Sequence, residues 1–225
     1  MSTIPPFNST MRFMLWIDGV GGYLVCERPG VVVGQPIALG RLRSGSDEQE
    51  REFVQAPVDI PLMADVSRRH ALIERHGEHH WLRPLRTTFV DGAPIERPRR
   101  LGDGAVLEFG DRAGRGVRMA WRVPNVCGLT ATLQLQSRHR MQPHADGVVL
   151  LADSCLIGPA VDDHVRAGSW RRSVVLHRRP DGELVFRADG PYDVDGRASS
   201  GVTAVSRSAR IRADDFSFRL EPLDS

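Results

Sequence analysis

Asp65-Val66-Ser67-Arg68-Arg69-His70-Ala71-Leu72-Ile73-Glu74 sets a hydroxyl and two guanidiniums directly before a strand-forming run. Residues 71–74 predict a β-strand, so Ser67, Arg68 and Arg69 are read as a loop held at its edge and turned toward solvent. Such a loop suits an oxyanion. Ser67 can donate one hydrogen bond, and a planar guanidinium can grip two oxygens of a phosphate at once. A solvated loop beside a hydrogen-bonded core histidine is the plainer reading of the same residues.

Outward from that stretch the chain repeats one pattern, in which short apolar or alternating runs are cut by Gly, Pro and Asp-Gly. Residues 13–17, 23–26 and 31–33 are such runs, and residues 117–123 alternate throughout. Asp-Gly pairs at Asp18, Asp91, Asp103, Asp181 and Asp195 supply the residue type that tight hairpins demand. Helical spacing with caps is nearly absent. The expectation is an all-β protein of sandwich architecture.

Laying the halves together exposes an internal repeat. Residues 31–34 match residues 155–158, residues 68–73 match residues 171–176, and Val90-Asp91-Gly92 matches Val194-Asp195-Gly196. The repeat implies two units, residues 11–124 and residues 129–225, with Pro, Asn and Gly interrupting the strand-like runs between them. The interval from Gly34 to Arg68 is about 21 residues longer than its counterpart from Gly158 to Arg171, which marks an insertion at about residues 36–56.

Downstream of the opening stretch stand Thr88-Phe89-Val90-Asp91-Gly92 and Leu101-Gly102-Asp103-Gly104, with a hydrophobic strand after them. In that order the motifs resemble the forkhead-associated (FHA) domain, a β-sandwich whose end loops bind phosphothreonine peptides. The likeness spans residues 12–124 and implies two tandem FHA-like β-sandwiches, the second degenerate. It implies phosphate binding by Ser67 and Arg68, with His70 as structural support that ties the Ser67 loop to a neighbour. The family's other phosphate arginine comes after a glycine at a strand end. Here Gln35 comes after Gly34, so Arg41 or Arg43 of the insertion and Arg86 are the candidates to fill that place. Arg86 stands where the family has the asparagine that holds the peptide backbone, and a guanidinium cannot accept a hydrogen bond. In the second unit Trp170 replaces the serine and Ser173 the histidine.

A formal net charge of +2 argues against a nucleic-acid binder driven by bulk charge. All 30 basic residues are arginine. Cys26, Cys127 and Cys155 are scattered and odd in number, which suggests reduced thiols rather than a disulfide framework. No apolar run approaches the ~18 residues of a membrane span, and no secretory signal opens the chain, so a cytoplasmic protein with no membrane contact is expected. His76-Gly77-Glu78-His79-His80 reads as a hairpin turn rather than a metal site. No nucleophile elbow, P-loop or dinucleotide fingerprint is present, and neither cofactor nor enzymatic activity is expected. Two functions stay open: an adaptor that reads a phosphorylated protein or peptide, and a phosphate-independent interaction scaffold.

Overall fold

The computed structural model describes residues 12–27, 29–35, 58–125 and 128–223. Among them every helix or strand is a β-strand, and no helix is long and apolar enough to cross a membrane. The first half carries β1 (Arg12–Ile17), β2 (Gly21–Cys26), β3 (Gly30–Gly34), β4 (Ile60–Met63), β5 (Ala71–His76), β6 (His79–Pro84), β7 (Thr88–Val90), β8 (Ala93–Ile95), β9 (Arg99–Arg100), β10 (Val106–Phe109) and β11 (Val117–Arg122). The second carries β12 (Ala131–Leu135), β13 (Arg140–Met141), β14 (Gly147–Leu150), β15 (Ser154–Gly158), β16 (Val165–Arg166), β17 (Val174–Arg178), β18 (Leu184–Val194), β19 (Arg197–Val205), β20 (Arg210–Arg212) and β21 (Ser217–Pro222).

Both halves use one connectivity. In the first, β3 pairs parallel with β4 and antiparallel with β5; in the second, β15 pairs parallel with β16 and antiparallel with β17. Asp91-Gly92 and Asp195-Gly196 close equivalent hairpins. All four residues have positive φ (54°, 78°, 52° and 82°), which is why the turns need this dipeptide. Each turn aspartate also exchanges hydrogen bonds with the strand beside it: Asp91 with Val106, Asp195 with Arg210.

Strand pairing does not respect the 11–124 and 129–225 halves expected from the repeat. A 15-stranded sheet runs β16-β15-β17-β18-β20-β21-β1-β2-β14-β12-β11-β10-β7-β8, with β19 beside β18. A six-stranded sheet runs β13-β4-β3-β5-β6-β9. The opening strand β1 lies against β21, the last strand of the second half, and β12 lies against β11, the last strand of the first. Where the halves meet, β2 and β14 pair in parallel from Tyr23 opposite Gly147 to Cys26 opposite Leu150. The order is symmetric about that seam as far as β18 on one side and β7 on the other; beyond β18 the sheet continues through β17, β15 and β16, whereas their repeat equivalents β5, β3 and β4 lie in the six-stranded sheet.

The reason lies in the apolar runs at 13–17 and 147–151, which do not alternate. A strand that is apolar on both sides needs cover on both faces, as strands in fully buried sheets do. Met14, Leu24, Val148 and Leu150 enter one core with Ile73, Leu107 and Trp121. Phe13, Leu15, Ile17, Val25 and Val149 enter a second with Trp170, Phe186 and Phe218. Side chains alternate along a strand, so the two cores lie on opposite faces of the shared strands.

An ion pair joins the two halves across this arrangement. Arg207 donates from Nε to Glu27 Oε2 and from Nη2 to Glu27 Oε1, both at 2.8 Å, and the Glu27 side chain has 0% exposure. The pairing is bidentate, the strongest geometry open to these groups. Cys26 and Cys155 are buried, and burial pushes the Cys155 thiol up to about 12. Cys127 lies outside the described residues.

His80 departs from the exposed turn expected for residues 76–80. Gly77, at φ 58°, makes the β5–β6 turn, but His80 points inward, 6% exposed, with its ring 4.9 Å from that of Trp121. Alternation after the turn sends His79 and His80 to opposite faces, so one imidazole is buried. Burial, with the nearby charges of Arg75 and His79, lowers its pKa to about 4.

Both buried groups can be tested through stability. Arg207→Ala leaves the Glu27 carboxylate buried and unpaired and should cost about 3 kcal/mol in urea unfolding, more than Glu27→Gln. His80 is kept neutral by the fold, whereas the unfolded chain takes the proton near pH 6.5. Its contribution to stability is therefore present above that pH and falls as pH drops toward about 4, by roughly 3 kcal/mol in all. Unfolding midpoints measured across this window should fall less steeply for His80→Gln than for wild type.

Candidate functional site

Two short strands, β3 and β5, set the position of the Ser67 loop. His70 N–H donates to Val33 O at 2.8 Å and Gln35 N–H to Ser67 O at 3.2 Å, which lays residues 64–70 over the end of β3. Gly34 makes room for this. A Cβ added there would lie 2.0 Å from the Arg68 carbonyl oxygen, so only glycine permits the crossing. Gln35 then clamps the loop from below, donating from Nε2 to Ala64 O at 2.7 Å. The residue after the strand-end glycine thus holds backbone, where the resemblance implies a phosphate arginine.

His70, 3% exposed, joins this loop to the next. Its Nδ1 accepts from Ser67 N–H at 3.3 Å, so Nε2 carries the proton and donates to Thr87 O at 2.7 Å. Burial lowers its pKa first, the Arg86 charge lowers it further, and the Thr87 hydrogen bond opposes them. The His70 carbonyl in turn accepts from Leu85 and Arg86 N–H, both at 3.0 Å. One residue therefore fixes the spacing of loops 64–70 and 85–87 through both its ring and its backbone.

Above that support Ser67 is half-buried and Arg68 exposed. Neither the Ser67 hydroxyl nor the Arg68 guanidinium has a partner among the described residues. Arg69 is half-buried, and burial lowers its pKa, although a guanidinium stays charged at neutral pH. Arg86 lies exposed on the neighbouring loop and donates from Nη1 to Leu85 O at 2.8 Å. Ser67, Arg68 and Arg86 are thus gathered at one end of the first half. Arg41 and the insertion at 36–56 lie outside the described residues. Sequence reasoning missed the Thr87 carbonyl, which accepts from Gly110 N–H at 3.5 Å as well as from His70 and so draws in a third loop, residues 110–116. A backbone acceptor leaves no signature in the side-chain pattern.

The equivalent end of the second half is built differently. Trp170 is core, packed on Phe216 and Phe218. Arg172 is tied to Asp215 at 2.9 Å and to Asp189 O, and its guanidinium lies over the Phe216 ring. Beside the strand-end Gly158 sits Asp163, 1% exposed, accepting from Ala160 N–H and the Ser173 hydroxyl, both at 2.8 Å. A buried carboxylate stands there, and it repels an anion.

Residues 40–110 match the family model of the FHA domain. The chain carries an FHA domain. The matched stretch holds Ser67, Arg68, His70, Arg86 and the Asp91-Gly92 turn. No curated protein and no solved structure matches the chain. FHA domains generally mediate phosphopeptide-dependent protein interactions, which makes a protein the kind of partner this one takes. Among the described residues no group of three or more His, Cys, Asp or Glu is placed to hold a metal ion.

If His70 spaces the two loops, His70→Ala leaves Ser67 N–H and Thr87 O without it and should lower stability by about 1–3 kcal/mol. Thermal melts compared with those of the Ser67→Ala protein, whose hydroxyl makes no such tie, give the check.

Proposed function

We propose that the FHA domain of this chain binds phosphothreonine peptides and that the protein is a non-enzymatic signalling adaptor acting in the cytoplasm. The observation that carries the reading is the pairing of a rigid support with donors that no other described residue engages. His70 ties two loops together, and directly above it stand the Ser67 hydroxyl, half-buried, and the Arg68 guanidinium, exposed, neither of them engaged by another described residue. Donors held in place before a ligand arrives need little ordering on binding, and charge-assisted bonds to phosphate are the strong class. In this reading Ser67 and Arg68 make the primary contacts, Arg86 adds charge from the second loop, and Arg41 of the insertion is the candidate for a further guanidinium.

The second half is proposed to be a diverged copy without a phosphate site. Its tryptophan is consumed by the core and a carboxylate occupies the strand-end position. The role left to it is structural, since it lends β12 and β14 to the sheet that completes the FHA domain.

One observation favours a phosphate-independent scaffold instead: Gln35 spends both its backbone and its side-chain N–H on the loop and offers no guanidinium. Calorimetric titration separates the two readings. A phosphothreonine peptide library should bind with heat that its unphosphorylated counterpart lacks, and Ser67→Ala with Arg68→Ala should abolish it. Absence of heat for every phosphopeptide, from protein that melts cooperatively, would leave the scaffold.

A further inference from the structure

The side chains of the loop between β10 and β11 take no part in the contacts assigned so far. Its neck is built tightly. A Cβ added at Gly110 would lie 2.7 Å from the Gly116 Cα, and Gly116 N–H donates at 3.0 Å to Glu108 Oε1, a carboxylate on a residue only 5% exposed. Beyond the neck Arg115 N–H donates to Arg112 O at 3.3 Å across a turn that Gly114 closes at φ 79°. The result is a compact tip with residues 111–115 all exposed. Gly110 N–H reaches the Thr87 carbonyl that also receives His70, so this tip stands beside the Arg86 loop rather than elsewhere on the molecule.

Neither Arg112 nor Arg115 is ion-paired among the described residues, nor is Arg68. Loops 64–70, 85–87 and 110–116 meet at one carbonyl and carry five arginines against two aspartates, Asp65 and Asp111. Like charges gathered with few counter-charges repel one another, and an acidic ligand lying across them relieves that repulsion. An extended peptide anchored at Ser67 and running past Thr87 meets the β10–β11 tip next.

We infer that Arg112 and Arg115 select phosphothreonine peptides with acidic residues on the flank that crosses the β10–β11 loop. The inference rests on the phosphopeptide reading and adds the sequence class of the ligand. Exposed pairs contribute little each, so the expected preference is about tenfold and is screened by salt, whose Debye length shrinks from ~8 Å at physiological ionic strength to ~3 Å at 1 M.

The test uses the full chain and three synthetic phosphothreonine peptides: one with neutral flanks, one with glutamates before the phosphothreonine and one with glutamates after it. One acidic peptide should bind about tenfold more tightly than the neutral one at low salt, and the advantage should vanish at high salt. Arg112→Gln with Arg115→Gln should remove the advantage. Arg112→Glu with Arg115→Glu should transfer it to a fourth peptide with lysines in place of the glutamates, a gain that misfolding cannot produce. Binding of all three peptides with equal affinity overturns the inference alone. A preference that survives both double variants does the same, and binding of none overturns the phosphopeptide reading together with it.

Discussion

The parallel pairing of β2 with β14 is the constraint on which the rest of the structure depends. It places two strands that are apolar on both sides at the centre of a continuous sheet, and each face of those strands then nucleates a separate core. The first strand of each half is committed to the last strand of the other, so the two halves complete one another. The exchange has a simple energetic logic. Burying Phe13, Leu15 and Ile17 in one core and Met14 in the other removes both faces of β1 from water, each fully buried large side chain contributing about 1.5–3 kcal/mol. A single sandwich buries only one face of its edge strands.

This arrangement also gives the second half a structural part that needs no ligand site of its own. Trp170, Phe186, Phe216 and Phe218 form an aromatic core whose cover includes Phe13, Leu15 and Ile17 of the chain's opening strand. The Glu27–Arg207 pair closes the same joint from its edge. The FHA domain is therefore held by the second half rather than strung beside it, and its end loops are carried on a frame larger than one sandwich. Rigidity at that frame matters for recognition, because loops that read a ligand do so best when the scaffold beneath them does not move.

At the site, support and contact are divided between neighbours in sequence. His70 is buried and neutral and binds backbone on two loops; Ser67 and Arg68, just before it in the chain, have side-chain donors that no other described residue engages. Gly34 allows this division by letting the Arg68 backbone lie against the strand. The second half has lost it. With Ser173 in place of the imidazole, the loop there is held by the buried Asp163, and the anchoring group itself carries the charge that excludes an anion.

By itself the sequence determined the secondary structure, the repeat and the core of the candidate site. Alternation, Asp-Gly turns and the order of Ser67, Arg68, His70 and Val90-Asp91-Gly92 are local features, and local features are set by backbone sterics and side-chain period, which a single chain displays openly. Partner choice among strands was not legible. The unalternating run 13–17 announced that β1 is covered on both faces, yet nothing in it names β21 rather than β11 as its neighbour, because the repeat makes the two last strands near-equivalent in pattern. The burial of His80, the clamp at Gln35 and the convergence of three loops on the Thr87 carbonyl were hidden for a related reason. Each depends on a backbone group or on which face of the sheet meets the core, and those are decided only when distant strands come together.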